Sequence, residues 1–414
     1  MSAEEEAITQ ARLAVGQVFT PGSPVNERDL FSGRIEQFNF VLDAVTQRGY
    51  HAVMYGERGV GKTSLANVIT SALDRSGKWI ISRVTCDVSD DYASLWRKAL
   101  QDVVLTRSRP GVGFNAEDTT ENGRLVDQLP LELSPDNIRR TLIEMSSASP
   151  ILIVFDEFDR ISSDRTTTLM ADTIKSLSDV GVAATVLLIG VADSVAELIE
   201  GHASIERVLV QIPMPRMSKD EILDIILKGI SRLGMKIDQS ACDEVASLSQ
   251  GLPYIAHLLS LNSVRAALHL DSLLVKSDHV ASGMQRALDQ WQQSIKVSYY
   301  EASKSQQPGH IFKEVLLACA LAEVDELGFF TAAAVRAPLR AITKKNYDIP
   351  NFARHLKELS EAGRGELLQR VGETRRIRYR FTSPIMRPYV VIRAVAENLI
   401  GKAALKQIQK TTTA

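Results

Sequence analysis

The chain has 414 residues, with 48 Lys and Arg against 50 Asp and Glu and a formal net charge of −2. At about 100–200 residues per domain this is two or three domains, and a chain of this length buries a core without disulfides or metals. The near-neutral balance excludes bulk electrostatic nucleic-acid binding but leaves room for a local basic patch. Three scattered cysteines, Cys86, Cys242 and Cys319, exclude a disulfide framework or a C-x-x-C zinc site and read as small buried apolar residues.

No apolar run reaches the roughly 20 residues that span a bilayer. The start, Met1 to Glu6, is acidic where a signal peptide is basic. A soluble, cytoplasmic protein with no membrane partner is expected.

In chain order, residues 1–30 read as an arm: a short helix or loose segment, then a turn-rich lead-in, Phe19 to Val25. Ile35, Phe38, Val41, Leu42 and Val45 recur at helical spacing after Phe31-Ser-Gly-Arg34. His51 to Tyr55 is a short apolar run, followed by a glycine loop and a helix from about Lys62 to Leu73. Trp79 to Cys86 is β-branched and reads as a second strand. A helix is expected from Ala93 to Thr106, and residues 107–130, rich in turn formers, read as a long loop.

Another helix, Pro135 to Ser146, leads into the wholly apolar run Pro150 to Phe155, as in a central parallel strand. A helix near 165–180 precedes strands at Ala184–Gly190 and Val208–Ile212. Strands alternating with helices predict a parallel α/β sheet with helices on both faces. After Pro215 the strands stop, and residues 217–302 read as consecutive helices. A polar linker follows. Residues 310–395 then give three helices and a hairpin, Glu366–Val371 and Arg376–Phe381, the outline of a winged helix. Residues 396–414 form a C-terminal helix and a polar tail expected to fray after Leu405.

Gly56, Glu57, Arg58, Gly59, Val60, Gly61, Lys62 and Thr63, followed by Ser64, match G-x-x-x-x-G-K-[ST]. Glycines let successive backbone N–H groups curl toward phosphate oxygens, and the next helix adds its positive end. Lys62 would reach the β- and γ-phosphates of ATP, and Thr63 would offer its hydroxyl to Mg²⁺. The partner signal is Ile151 to Phe155 ending in Asp156 and Glu157. Asp156 would hold the Mg²⁺ shell and Glu157 would act as general base on water. The alternative for the two carboxylates alone is a cap on the next helix.

These motifs, in this order, resemble the AAA+ ATPases, in particular the branch holding the origin-recognition-complex proteins and the neighbouring STAND-type and archaeal ATPases. The similarity runs over roughly residues 19–395. It implies an α/β parallel-sheet P-loop core at 31–216, an all-helical lid at 217–302 and a C-terminal winged-helix domain at 310–395. Phe31-Ser-Gly-Arg34 resembles the lead-in that borders the adenine, which puts Arg34 among the nucleotide-binding residues. Leu187 to Asp193 sits where sensor 1 ends its strand. The chain has Asp193 where Asn is usual, and an anion there would be repelled by the γ-phosphate; a helix N-cap is the alternative. Gly251-Leu-Pro253 resembles the STAND-type lid, in which the Pro packs near the nucleotide base, or else Pro253 simply starts a helix. Arg207 resembles the arginine finger given to a neighbour's site, which implies a nucleotide-dependent homo-oligomer; a surface arginine is the alternative.

Between Arg336 and Arg393 stand fourteen Lys and Arg against five Asp and Glu, a formal excess of nine positives. Arg370, Arg375, Arg376, Arg378 and Arg380 cluster on the hairpin, and in its second strand they alternate with Ile377, Tyr379 and Phe381. A cationic wing suits the backbone of double-stranded DNA. A protein partner or a solvated strand face remains the alternative. Ile385, Met386 and Tyr389 read as cover for the winged-helix core. Two functions are open: an ATP-hydrolysing switch acting with DNA, like initiator, transposition or phage-defence ATPases, or a STAND-type signalling switch whose winged helix meets protein.

Overall fold

The apolar runs that read as strands pair into one parallel sheet. A computed structural model describes residues 2–23, 33–109, 119–191, 205–304, 310–325, 327–372 and 376–412. They fall into two units. One comprises 34–56 and 65–214, the other 1–33, 57–64 and 215–414.

In the first unit β1 is His51–Tyr55, β2 Ile80–Thr85, β3 Val104–Arg109, β4 Thr119–Arg124, β5 Ile151–Asp156, β6 Ala184–Gly190 and β7 Leu209–Pro213. Five of them form a parallel sheet in the order β2-β5-β6-β1-β7. β5 and β6 are buried along their whole length, which is why Ile-Leu-Ile-Val-Phe and Ala-Thr-Val-Leu-Leu-Ile show no polar alternation. β2 is an edge strand, and its mixed Ile-Ile-Ser-Arg-Val-Thr sequence matches its partial exposure.

Helices Tyr92–Leu100, Pro135–Ser146 and Asp164–Val180 supply Leu95, Trp96, Ile138, Leu142 and Ile174 to the core of this unit. Trp96 meets Phe155 edge-on at 5.4 Å. Asp91, Ser134 and Ser163 cap the three helices by accepting from Ser94, Asn137 and Thr166 backbone N–H groups. His51 is buried. Its Nδ1 accepts from Val186 N at 2.9 Å, and burial pushes its pKa down to about 3.

The expected loop at 107–130 is a correction. β3 and β4 pair antiparallel from Val104 with Arg124 to Arg109 with Thr119, and residues 125–128 form one 3₁₀ turn. The preceding helix ends at Leu100, short of the expected Thr106. β-branched Val103, Val104 and Thr106 favour an extended chain there, and pairing with 119–124 satisfies the backbone of a segment that local composition marks as irregular.

In the second unit, helix Ala3–Val18 opens on a Ser2/Glu5 capping box and buries Ile8, Ala11, Val15 and Val18 at helical spacing. Helices Lys219–Arg232, Gln239–Ser249, Pro253–His269, Ser277–Gln290 and Gln293–Ser303 follow. Pro253–His269 is buried on nearly all sides, consistent with its weakly patterned apolar sequence. The strand-free expectation after Pro215 also needs correcting. β8 Lys236–Ile237 and β9 Leu274–Val275 form a short parallel pair, too brief to leave a period in the sequence.

Beyond residue 310 come helix Phe312–Leu321, β10 Phe330–Thr331, helices Ala332–Thr343 and Ile349–Glu358, β11 Leu368–Val371, β12 Arg378–Phe381 and helix Met386–Ala396. The three strands form an antiparallel sheet, β10-β12-β11. β10 escaped the sequence reading because it has two residues. Met386 and Tyr389 are buried as expected, and Tyr389 packs edge-on against Trp291 and Tyr299 of the preceding helices at 5.2 and 5.4 Å. Where a frayed tail was expected, Lys402–Thr412 is helical. Leu405 and Ile408 are buried, and Lys402 is paired with Glu244 at 2.6 Å. Cys86, Cys242 and Cys319 are all buried and free. Among the described residues no helix is long and apolar enough to cross a membrane.

Candidate nucleotide-binding site

β1 and β5 run parallel with β6 between them, so Tyr55 and Asp156, their last residues, emerge on the same edge of the sheet. Open α/β sheets bind ligands at the carboxyl ends of their strands.

The glycine loop follows Tyr55 directly. Gly59 and Gly61 adopt φ of 84° and 99°, which side chains other than glycine rarely reach. Helix Lys62–Asp74 starts at the loop's lysine. Val60 and Lys62 are buried, Thr63 and Ser64 half-buried, and Arg58 is exposed. Lys62 Nζ donates to the Glu57 carbonyl at 2.8 Å.

The loop's surroundings in the second unit are specific. Pro253 opens its helix, and its Cγ lies 3.8 Å from where a Cβ on Gly61 would stand. Tyr254 Cβ is at the same distance from a Cβ on Gly59. The start of this helix therefore lies against the glycine loop, and Pro253 is both a helix opener and a loop neighbour. Glu57 is buried and paired with Arg216, Nε and Nη2 approaching Oε2 at 2.9 and 2.7 Å. Neither Tyr254 nor the Glu57–Arg216 pair was singled out from sequence. The available signal was an arginine three positions after the last sheet strand, in Pro215-Arg-Met.

At the end of β5, Asp156 is 6% exposed and its Oδ1 accepts from Glu157 N at 2.9 Å. Glu157 has φ 56° and its carboxylate, half-exposed, meets Arg160 Nη1 at 3.0 Å. A non-glycine residue in the left-handed region costs about 1–3 kcal/mol and clusters at functional sites. Asp159 Oδ1 accepts from Val191 N at 2.8 Å, tying the end of β6 to the turn after β5. Burial, then Asp90 and Asp156, push the Cys86 thiol up to about 12, which makes it inert. Burial lowers the Arg83 guanidinium, and Asp156 opposes that shift.

Arg34 is buried in the left-handed region just before helix Ile35–Thr46, and Phe31 and Ser32 lie outside the described residues. Asp193 lies outside them too. Arg207 is exposed and precedes β7, at the end of the parallel sheet opposite to Asp156. It therefore does not join Asp156 and Glu157 of its own chain. Among the described residues no group of three or more His, Cys, Asp or Glu could hold a metal unaided.

The hairpin is less available than its sequence implies. Arg378 pairs with Asp325 at 3.0 Å and lies over the Phe329 ring, 4.9 Å from its centre. Arg380 donates to Gln369 at 2.6 Å and lies over the same ring at 4.5 Å. Arg375 is outside the described residues. A groove of about 660 Å³ lies instead along helix Ala332–Thr343, lined by Arg336, Arg340, Lys344, Asn346 and Tyr347 above alanines. Arg336 is paired there with Asp348 at 2.9 Å.

Residues 31–189 match the family model described as AAA ATPase domain. No curated protein matches the chain. Among solved structures the chain is similar to a Walker-type ATPase of Pyrococcus abyssi, with a TM-score of 0.53 and 14% identity over 90% of this chain and 99% of that one. It is also similar to Cdc6p from Pyrobaculum aerophilum, at TM-score 0.48 and 12% identity over 95% and 98% of the two chains. For the Aeropyrum pernix ORC1 protein, solved in complex with DNA, the TM-score is 0.45 with 13% identity over 92% and 97%. At 14% identity the likeness to the Pyrococcus abyssi ATPase bears on fold alone. The strand order β2-β5-β6-β1-β7, the glycine loop after β1 and the matched AAA ATPase domain together make this an α/β P-loop fold of the AAA+ type.

Proposed function

We propose that this chain binds ATP with Mg²⁺ and hydrolyses it as a cytoplasmic switch acting with double-stranded DNA. The observation that carries the reading is the buried Lys62, held by its own loop's carbonyl in a glycine curl at the end of a parallel strand. A buried ammonium that loses that carbonyl needs an anion, and a nucleotide phosphate supplies one.

In this mechanism the loop Gly56–Ser64 cradles the phosphates and Lys62 turns from Glu57 to the β- and γ-phosphates. Thr63 and Asp156 would hold Mg²⁺, which would supply positive charge beside the phosphates. Glu157 accepts the proton of the attacking water. Its position directly after Asp156 supports that role, and the Arg160 contact fixes the carboxylate until substrate arrives. Arg34 and Pro253 border the nucleotide, Asp193 ends the sensor segment, and Arg207 serves a neighbouring copy in a nucleotide-dependent homo-oligomer. Its place at the far end of the sheet supports action in trans.

Residues 217–302 are the lid and 310–395 the winged helix. The order helix, strand, helix, helix, strand, strand supports the latter. The excess of nine positives between 336 and 393 supports a phosphodiester partner. The contacts of Pro253 with the loop favour a second reading, a STAND-type signalling switch whose winged helix meets protein.

The test is ATP turnover of the purified chain with and without duplex DNA at low salt, with Glu157→Gln as control. Stimulation by DNA, abolished in the variant, supports the first reading. Turnover indifferent to DNA supports the second. Absence of turnover under both conditions overturns the hydrolytic switch.

A further inference from the structure

We propose that Arg216 is a positioning residue that carries the occupancy of the phosphate loop, through Glu57, to the C-terminal element at 327–330 and 384–396. The inference rests on the reading of Lys62 as a phosphate ligand.

The contacts form one chain within a single unit. Lys62 Nζ holds the Glu57 carbonyl at 2.8 Å. The Glu57 carboxylate, 8% exposed, is gripped by Arg216, itself largely buried. Arg216 Nη1 donates to the Gln250 carbonyl at 3.1 Å, just before Gly251-Leu-Pro253, and Nη2 donates to the Pro384 carbonyl at 3.4 Å, just before helix Met386–Ala396. One guanidinium thus joins the loop, the start of the lid helix and the C-terminal element. On its other side Glu57 Oε1 abuts Gly328, where any Cβ would collide with it.

The neighbouring Arg387 ties the same region to the end of helix Phe312–Leu321. Its Nε and Nη2 donate to the Ala320 and Ala322 carbonyls at 2.6 and 2.9 Å. Burial, and then Arg216, push its guanidinium down to about 9, while Glu57 opposes them. Arg216 alone is bonded to the Glu57 carboxylate, and Arg387 feels its charge from nearby.

A phosphate that draws Lys62 away releases the Glu57 carbonyl, so the peptide carrying that side chain is free to turn. The carboxylate follows on its short tether, and Arg216 must either follow it or exchange Gln250 and Pro384 for other partners. A buried ion pair has discrete arrangements rather than a soft continuum, which is what coupling between sites needs. Coupling is reciprocal, so displacing the C-terminal element must change nucleotide affinity by the same factor.

The test uses the full chain, with binding of a fluorescent ADP analogue and amide hydrogen exchange measured with and without ADP and Mg²⁺. In the wild type, ADP is expected to change protection at 327–330 and 384–396. Gly328→Ala, at a φ of 81° that itself strains any side chain, displaces the Glu57 carboxylate without replacing a residue of the loop. It should still bind ADP, shift the affinity about fivefold or more, and lose the ADP-dependent change at 384–396. Arg216→Lys keeps the charge but not the fork, and should lose the same response; it serves if Gly328→Ala does not fold. Folded variants that keep both wild-type affinity and the response overturn the relay. If the wild type binds no ADP, the nucleotide reading itself fails. If it binds ADP and 384–396 stays silent, only the relay fails.

Discussion

At the scale of single residues, the candidate base is held in an unusual state. Glu157 has a left-handed backbone and an exposed ion pair with Arg160. An exposed pair is worth about 0–1 kcal/mol, so Arg160→Ala should change turnover by no more than about fivefold. Removing a general base costs about 10²–10⁴-fold, so Glu157→Gln should lose at least about a hundredfold while still binding ATP. Steady-state phosphate release with a parallel nucleotide-binding assay separates the two. A hundredfold loss in Arg160→Ala with little loss in Glu157→Gln would remove Glu157 as the base and leave Arg160 as the group the reaction depends on. The placement of Lys62 at the start of its helix and of Asp156 at the end of β5 was legible because a glycine loop and an apolar run are local patterns. Arg216 was not, because its partner Glu57 is 159 positions away and no local pattern marks a buried ion pair of that span.

At the scale of elements, legibility followed burial. β5 and β6, covered on both faces, are continuous apolar runs, and their bounds were read to within a residue. β8, β9 and β10 have two residues each, shorter than any period, and the β3–β4 pairing depends on partners ten or more residues apart. β1 carries a further consequence. His51 stays neutral in the fold down to about pH 3, against an ordinary value of 6.5. Above 6.5 the group is neutral in both states and its contribution to stability is complete. Below 6.5 the unfolded chain takes up a proton that the folded chain refuses, so stability falls by about 1.4 kcal/mol per pH unit until the folded pKa is reached. His257, pushed down to about 4 by burial, adds in the same direction over 6.5 to 4. The melting temperature should therefore drop steeply between pH 7 and 5. His51→Asn, which keeps an acceptor for Val186 N, should lessen that drop. An equal drop in the variant would remove His51 as a cause.

At the scale of the whole molecule, a net charge of −2 conceals the excess of nine positives between 336 and 393. In its richest cluster, the hairpin, Arg378 and Arg380 are engaged within the fold. Alternation in β12 is visible in the sequence, whereas the stacking of Arg378 and Arg380 on Phe329 depends on a turn some fifty residues earlier. The groove cations Arg340 and Lys344 are exposed on a face of helix Ala332–Thr343. If duplex DNA is the partner, each phosphate neutralised adds about 0.9 to the slope of log affinity against log salt. Arg340→Glu combined with Lys344→Glu should therefore lower the steepness of that slope by about two, measured by fluorescence anisotropy with a labelled duplex between about 50 and 200 mM salt. Arg378→Ala should leave it nearly unchanged, because Asp325 already neutralises that guanidinium. The reverse pattern would put the phosphate contacts on the hairpin. A slope that none of these substitutions alters would take duplex DNA off this element and leave a protein partner as the reading for residues 310–395.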